Sequence, residues 1–382
     1  MSTFIETLKE RKLVVPLGVA ALISVVGIAL WIAELAGATG GIGTNDATPW
    51  GAYLMVFIFF VGLGAGSALV AALGSVFGVK ACEPYIAPGV VMAVAFVAVA
   101  GLAIIMDLGN PANIMAMLLG LNLRSVLAWD MIFLTLFLVV TVVALVSLLR
   151  SPERKLSRGM GVAVLVAAVL LLVIDALLFQ VESAREAWHS AVLVPWFFAT
   201  AITSALALMM IVGATGAKRD ERYAGSLAPL SKLLAGFVCL DFAFLVVDVL
   251  YGITSSNAGD APVALAMLSG GLAPFFWSQV VLYIAALAVL LGPASKGAAW
   301  AHPCAAALVL IGVLAKRADF VLGGFYEPGI SWPVAEGLHT YTAGISYAPA
   351  WSELGICLGF FAMAAFLAIA GMALAESKDE KN

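Results

Sequence analysis

Ten long apolar stretches follow one another along this chain, at about 13–36, 50–78, 88–107, 125–149, 160–181, 191–215, 233–254, 271–292, 302–323 and 351–374. Each reaches the ~20 residues that a helix needs to cross the hydrocarbon of a bilayer. In that medium an unpaired backbone amide is costly, so runs of this length are satisfied internally as helices. The pattern predicts an all-α integral membrane protein, a single polytopic domain over residues 1–382 with ten transmembrane helices. The connections at 79–87, 150–159, 216–232 and 293–301 are short and basic, and none is long enough for a catalytic domain. Those at 37–49, 108–124 and 324–350 are richer in Gly, Pro and aromatics, and the last carries Tyr326, Trp332, His339, Tyr341 and Tyr347. Long ordered loops of this kind carry contacts or function. No fixed-period repeat is visible.

Charge orients the helices. Threading the stretches alternately puts Lys9, Arg11, Lys12, Lys80, Arg150, Arg154, Lys155, Arg158, Lys218, Arg219, Arg222, Lys232, Lys296, Lys378 and Lys381 on one face, 15 of the 19 basic residues. By the positive-inside rule that face is cytoplasmic, both termini are inside, and the protein is multi-pass in the cytoplasmic (inner) membrane. Lys9, Arg11 and Lys12 before an apolar run resemble a signal peptide, but the run from Leu13 to Leu35 exceeds the ~7–15 residues of such a segment, so a retained helix is expected. At 63% hydrophobic residues and a mean hydropathy of +1.09 the chain is not a soluble domain.

The cofactor inventory is poor. Cys82, Cys239, Cys304 and Cys357 form no ligand spacing for an iron–sulfur cluster or other metal. His189, His302 and His339 fall at helix ends or in connections, so no paired histidines offer a haem site within the spans. Gly62, Gly64 and Gly66 read as a helix-packing face and not as a phosphate loop, which needs a strand-to-helix turn.

What remains is a layer of ionisable groups, each costing ~2.5–3.5 kcal/mol inside a span on insertion scales and so needing a partner or a purpose. Topology places Asp107, Asp130, Asp175, Glu182, Asp248, Arg317, Asp319 and Glu353 in the outer half, with Asp241 near mid-membrane. A transporter site is expected nearer the midplane, so a site opening to the outer face fits better. A lipid-soluble quinone needs donors to its carbonyls and a carboxylate or His to pass two protons. Asp130, Glu182 and Asp107 suit the proton role, and Tyr53 is placed to donate to a carbonyl. Structural alternatives stand beside these: ion pairs of Asp319 with Arg317 and of Glu186 with Arg185, and Trp50, Trp129, Trp188 and Trp351 as interface anchors.

The residues also resemble a known family. Trp50-Gly51-x-Tyr53 with Gly62-Leu63-Gly64-Ala65-Gly66 is similar to the second helix of ten-helix NrfD/PsrC-like (polysulfide reductase NrfD) proteins. Asp107-Leu108-Gly109-Asn110-Pro111 resembles that family's D-[LV]-G-x-P turn, Ser125-Val126-Leu127 its next helix start, and Trp188 through Pro195-Trp196-Phe197-Phe198 its W…LLP-x-F segment. Trp351-Ser352-Glu353-Leu354 with Gly359-Phe360 looks like the last helix of hydrogenase-associated, HybB-type members. The resemblance implies two four-helix bundles, helices 2–5 and 6–9, flanked by helices 1 and 10. It implies a membrane subunit of a respiratory oxidoreductase complex, with menaquinone or ubiquinone as substrate and no haem, iron–sulfur cluster or metal in this chain. Its expected partners are an extracytoplasmic ferredoxin-like iron–sulfur subunit, docked on 108–124 and 324–350, and behind it a molybdopterin enzyme, a hydrogenase or a multihaem cytochrome; membrane lipids are contacted and nucleic acid is not. The quinone site would comprise Trp50, Tyr53, Asp107, Asp130, Asp175 and Glu182, with Glu182 where several relatives carry His. Asp175, Asp241, Asp248, Arg317, Asp319 and Glu353 would form a proton path. The competing class is a proton- or cation-coupled secondary transporter built on the same carboxylates.

Overall fold

The computed structural model describes Leu8 and residues 12–45, 48–151, 156–182, 185–190, 192–218, 220–255, 260–327 and 347–377, the side chains of Glu186 and Ser377 excepted. Trp332, His339 and Tyr341 of the long connection 324–350 lie outside these residues, as do Lys9, Arg11, Arg154, Lys155, Arg219, Lys378 and Lys381 among the basic residues. Twelve helices are described: α1 (Val14–Leu35), α2 (Ala52–Ser75), α3 (Ile86–Asp107), α4 (Asn113–Leu119), α5 (Val126–Arg150), α6 (Arg158–Gln180), α7 (Leu193–Gly216), α8 (Glu221–Thr254), α9 (Asp260–Ser269), α10 (Ala273–Leu291), α11 (Ala301–Gly324) and α12 (Trp351–Ser377). Among the described residues, nine of these are long and apolar enough to cross a membrane. α11 matches them in length but carries Lys316, Arg317 and Asp319, which it keeps buried.

Three helices differ from the sequence expectation: α4 and α9 are short helices within expected connections, and α8 begins early. The stretch 216–232 reads as a basic connection containing Pro229, yet α8 already begins at Glu221. Asp220 caps it, accepting from the Arg222 backbone N–H at 2.8 Å, and Glu221 places a negative charge against the positive end of the helix dipole. The helix carries Pro229 internally and runs 34 residues, about 51 Å at ~1.5 Å per residue.

Packing centres on α2. Every residue from Tyr53 to Ala72 is buried, so this helix is apolar on all sides and surrounded by others. Its glycines let neighbours approach: a Cβ on Gly64 would lie 2.5 Å from Val97 of α3, and one on Gly66 would collide with the Ala201 carbonyl of α7. α2 packs on α3, α3 on α5, α5 on α6 and α6 back on α2; likewise α7 packs on α8, α8 on α10, α10 on α11 and α11 back on α7. The two rings meet where α2 touches α7 and α11. α1 crosses α12 outside the first ring at Gly27 and Gly359, where a Cβ on either would come within 2.8 Å of the other's Cα. Large apolar side chains stand exposed along the perimeter, among them Val15 (73%), Leu22 (64%), Val281 (60%) and Leu291 (69%). In water such a surface would aggregate; facing acyl chains it costs nothing.

Candidate functional site

Inside the second ring, and on the side it turns to the first, the helices enclose polar groups that composition alone does not explain. Asp241 of α8 is fully buried and accepts four hydrogen bonds. Its Oδ1 takes Trp196 Nε1 at 2.7 Å, Thr200 Oγ1 at 2.8 Å and Lys316 Nζ at 2.8 Å, and its Oδ2 takes the Tyr283 hydroxyl at 2.5 Å. Lys316 Nζ also donates to Thr200 at 2.9 Å and lies 3.3 Å from the centroid of the Trp196 ring. A buried pair repays its desolvation only when further hydrogen bonds and good geometry support it, and this one has both.

On the side facing the first ring the arrangement is the reverse. Arg317 is 2% exposed, stacks over Phe197 at 4.5 Å and leaves its Nε without a partner. Asp175 of α6 is 1% exposed with both carboxylate oxygens unpartnered, and Asp130 of α5 has one unpartnered oxygen at 5% exposure. Asp130 and Arg317 are the charged neighbours of Asp175. The Thr203 hydroxyl is unpartnered as well. Native proteins satisfy nearly all buried polar atoms, so this concentration marks a place for water, a proton or a ligand.

A third group gathers where α1 and α3 end and α2 and α12 begin. The Tyr53 hydroxyl donates to Glu34 at 3.0 Å, and Asp107 lies within electrostatic reach of Glu353 and Glu34. Glu353 is committed to the chain around it: it accepts from the backbone N–H of Gly43 at 2.7 Å, that of Ala350 at 2.8 Å and the Tyr347 hydroxyl at 3.0 Å. Burial beside that carboxylate pushes the Tyr347 phenol well up, since ionising it would set a second negative charge against Glu353.

Between these groups lies a layer of rings. Trp50 and Trp188 stack with centroids 5.8 Å apart, and Phe179, Phe197, Phe320 and Phe325 pack edge-on or tilted about them. Trp188 is 1% exposed, its indole donates to the Phe320 carbonyl at 2.9 Å, and it occupies the space a side chain on Gly324 would fill. For Trp188 the expected role as an interface anchor is therefore replaced by ring stacking in the interior, while half-buried Trp50 stacks on it. Trp129 (38% exposed) and Trp351 (88%) remain at the surface. Arg185 caps the layer, 4.6 Å over Phe325 and donating to the Glu327 carbonyl at 3.3 Å; burial lowers its pKa and Glu182 opposes that shift.

The sequence-derived candidates thus fall into separate groups. Asp130 and Asp175 come together, with Arg317 next to them. Tyr53 and Asp107 stand with Glu34 and Glu353, while Trp50 and Glu182 border the aromatic layer. Asp248 faces Ser190 with Lys316 and Asp260 as charged neighbours, and Asp319 neighbours Asp248 and Lys316. The suggested Asp319–Arg317 pairing is not what forms. Residues two apart on a helix point to different sides, so Arg317 turns to Asp175 while adjacent Lys316 takes Asp241. Sequence reading overlooked Glu34, Thr200, Thr203, Gln279 and Tyr283. Gln279 and Tyr283, polar and four apart in an otherwise apolar span, are a signal that was there to read.

Among the described residues no group of three or more His, Cys, Asp or Glu is arranged to hold a metal ion. A sequence model of the family described as polysulphide reductase, NrfD, matches residues 40–326. The chain is 26% identical to a putative membrane subunit, designated C, of the dimethyl sulfoxide reductase of Halobacterium salinarum, over 93% of this chain and 89% of that protein. It is 27% identical to the Hdr-like menaquinol oxidoreductase integral membrane subunit of Archaeoglobus fulgidus, over 87% and 86%. It is 24% identical to the C subunit of the selenate reductase of Mesobacillus selenatarsenatis, over 81% and 82%.

Proposed function

The chain belongs to the NrfD family of multi-pass integral membrane proteins, and from that premise we propose that it is the quinone-reactive membrane subunit of a respiratory oxidoreductase complex. The relatives' names support the complex, and that of the Archaeoglobus protein supports menaquinone as the substrate. The proposed topology has ten crossings, α11 being the tenth, with both termini on the basic face. Each ring of mutually packed helices is a four-helix bundle, and α1 and α12 flank the first.

The observation that carries the reading is the pair of buried, incompletely partnered carboxylates, Asp130 and Asp175, on adjacent helices of the first ring. An intramembrane ionisable residue is by default a functional candidate, and these two keep carboxylate oxygens without a hydrogen-bond partner. When a quinol is oxidised it releases two protons and two electrons. The electrons leave for a docked iron–sulfur subunit on the outer face, and Asp130 and Asp175 take up protons from the hydroxyls. Glu182 and Trp50 from the aromatic layer, and Tyr53 and Asp107 from the group at Glu34 and Glu353, would complete the proposed site from the outer helix ends. Reduction of a quinone runs the same steps backwards. A proton route extends from there along charged neighbours: Asp175 to Arg317, Arg317 to Asp241, Asp241 to Lys316, and Lys316 to Asp248 and Asp319. Glu353, held by three local donors, stands outside this line.

Asp130→Asn and Glu182→Gln test the reading. The complex should assemble and its partner should still turn over with a soluble electron donor or acceptor, while quinone-linked turnover is lost. Normal quinone-linked rates in both variants would sink the assignment. Proton or cation flux through the isolated chain, independent of quinone, would favour a transporter instead.

A further inference from the structure

The short helix α4 is out of keeping with a connection that faces water. None of its seven residues is buried, and Leu119 is 85% exposed. Met115, Leu118 and Leu119 stand three and four positions apart and share its outward face, where a helix in water carries polar groups. Residues 108–123, which include it, contain no Asp, Glu, Lys or Arg. Tight turns hold α4 where α3 ends and α5 begins. Before it, the Asn110 N–H donates to the Leu108 carbonyl at 2.7 Å and the Asn113 N–H to the Asn110 carbonyl at 3.0 Å; after it, the Ser125 N–H donates to the Asn122 carbonyl at 2.9 Å. The far flank is fastened to the perimeter of the molecule. Trp129 of α5 donates from its indole to the Leu123 carbonyl at 2.9 Å and stacks on Phe133 with centroids 5.8 Å apart. Trp129, Leu136 and Val143, all exposed and seven apart, form one stripe along α5. On a membrane-spanning helix such a stripe faces acyl chains, and a Trp at its end marks the headgroup level.

We propose that α4 lies in the membrane surface, with its Met115, Leu118 and Leu119 face among the acyl chains just below the lipid headgroups. Three observations select lipid over a docked protein. A protein interface surrounds its apolar centre with a polar rim, whereas here the exposed apolar surface passes through Leu121, Leu123 and Leu127 straight into the lipid-facing stripe of α5. The turns at both ends leave no extended arm to carry the helix away from the level of the helix ends. Arg124, exposed, is the first charged residue after Asp107 and follows Leu123, the partner of Trp129; a guanidinium beside a boundary Trp reaches lipid phosphates while its stem stays on apolar surface. Residues 108–124 then belong to the lipid contact and not to a surface on which a soluble subunit docks. This placement does not depend on where quinone binds.

The test places a nitroxide at Leu119→Cys, in a chain whose exposed Cys239 and half-buried Cys304 are replaced by Ser. It is measured in phospholipid nanodiscs, on the full chain alone and on the assembled complex. Collisions with oxygen, which concentrates in lipid, and with a water-soluble nickel chelate give the depth of the label. It should sit about 5–10 Å into the headgroup and acyl boundary and favour oxygen, in the chain and in the complex alike. A label at Asn113→Cys, the one polar position of α4 and on its opposite side, should sit shallower and favour nickel. Leu118→Asp, at an exposed position that folding does not bury, should shift the balance at 119 toward nickel by charging the lipid-facing side. The inference is overturned if the Leu119 label favours nickel in the chain alone, if it matches the Asn113 label, or if Leu118→Asp leaves its balance unchanged. It is equally overturned if the partner subunits shield the label from both reagents, which would make α4 a protein docking surface.

Discussion

Removing the Asp241 carboxylate probes how the second ring is held together. Asp241→Ala deletes three bonds from neutral donors, those of Trp196, Thr200 and Tyr283, and one from Lys316, itself 3% exposed. Within membranes an average side-chain hydrogen bond contributes only ~0.6 kcal/mol, so the neutral three account for about 2 kcal/mol. Stranding a buried ammonium is the larger effect, about 3–5 kcal/mol when a buried pair loses one member. Asp241→Ala should therefore be strongly destabilising, whereas Asp241→Asn with Lys316→Met, which removes both charges and keeps an acceptor, should recover most of the loss. Thermal and denaturant unfolding of the purified protein in detergent, run as a double-mutant cycle, reads this directly. A coupling of at least ~2 kcal/mol is expected from the pair. If Asp241→Ala unfolds like the parent, or if the double variant is worse than the sum of the singles, the pair is not what secures the second ring.

Other consequences follow from particular contacts. Glu353→Ala removes the acceptor shared by Gly43, Ala350 and Tyr347 and should cost at least ~2 kcal/mol, with new protease cuts near residues 43 and 347–350; Glu353→Gln should restore protection. Gly359→Leu forces α12 away from α1 at the Gly27 crossing and should cost about 1–3 kcal/mol, visible as a lowered unfolding temperature. Trp188→Phe deletes the donor to the Phe320 carbonyl and should cost about 0.5–1.5 kcal/mol. Unfolding midpoints equal to the parent's in any of these would contradict the packing described.

The membrane class was legible in the sequence because a single physical constraint, ~20 apolar residues per crossing, writes itself into the chain. The start of α8 was not, since an Asp220 cap and a tolerated Pro229 look locally like a loop. Candidate carboxylates were legible as costly residues in apolar runs, but their partners were not. Hydropathy gives the depth of Asp241 and Lys316 without saying that they face each other from different helices 75 positions apart. Trp188 shows the same limit, since a ring near a helix end is equally compatible with a headgroup and with Trp50, and only packing decides. Gly66 was read for packing correctly from its spacing, but its neighbour, the Ala201 carbonyl, is a tertiary fact.

The central claim is that quinone meets this chain at Asp130 and Asp175. Titrating a menaquinone analogue into the purified complex, parent against Asp130→Asn, tests it most directly when binding and quinol-linked electron transfer are followed together. The account predicts saturable binding in the parent, with quinol oxidation lost in the variant while electron transfer within the partner subunits persists. A parent that binds no analogue, or an assembled Asp130→Asn complex that oxidises quinol at the parental rate, would contradict it.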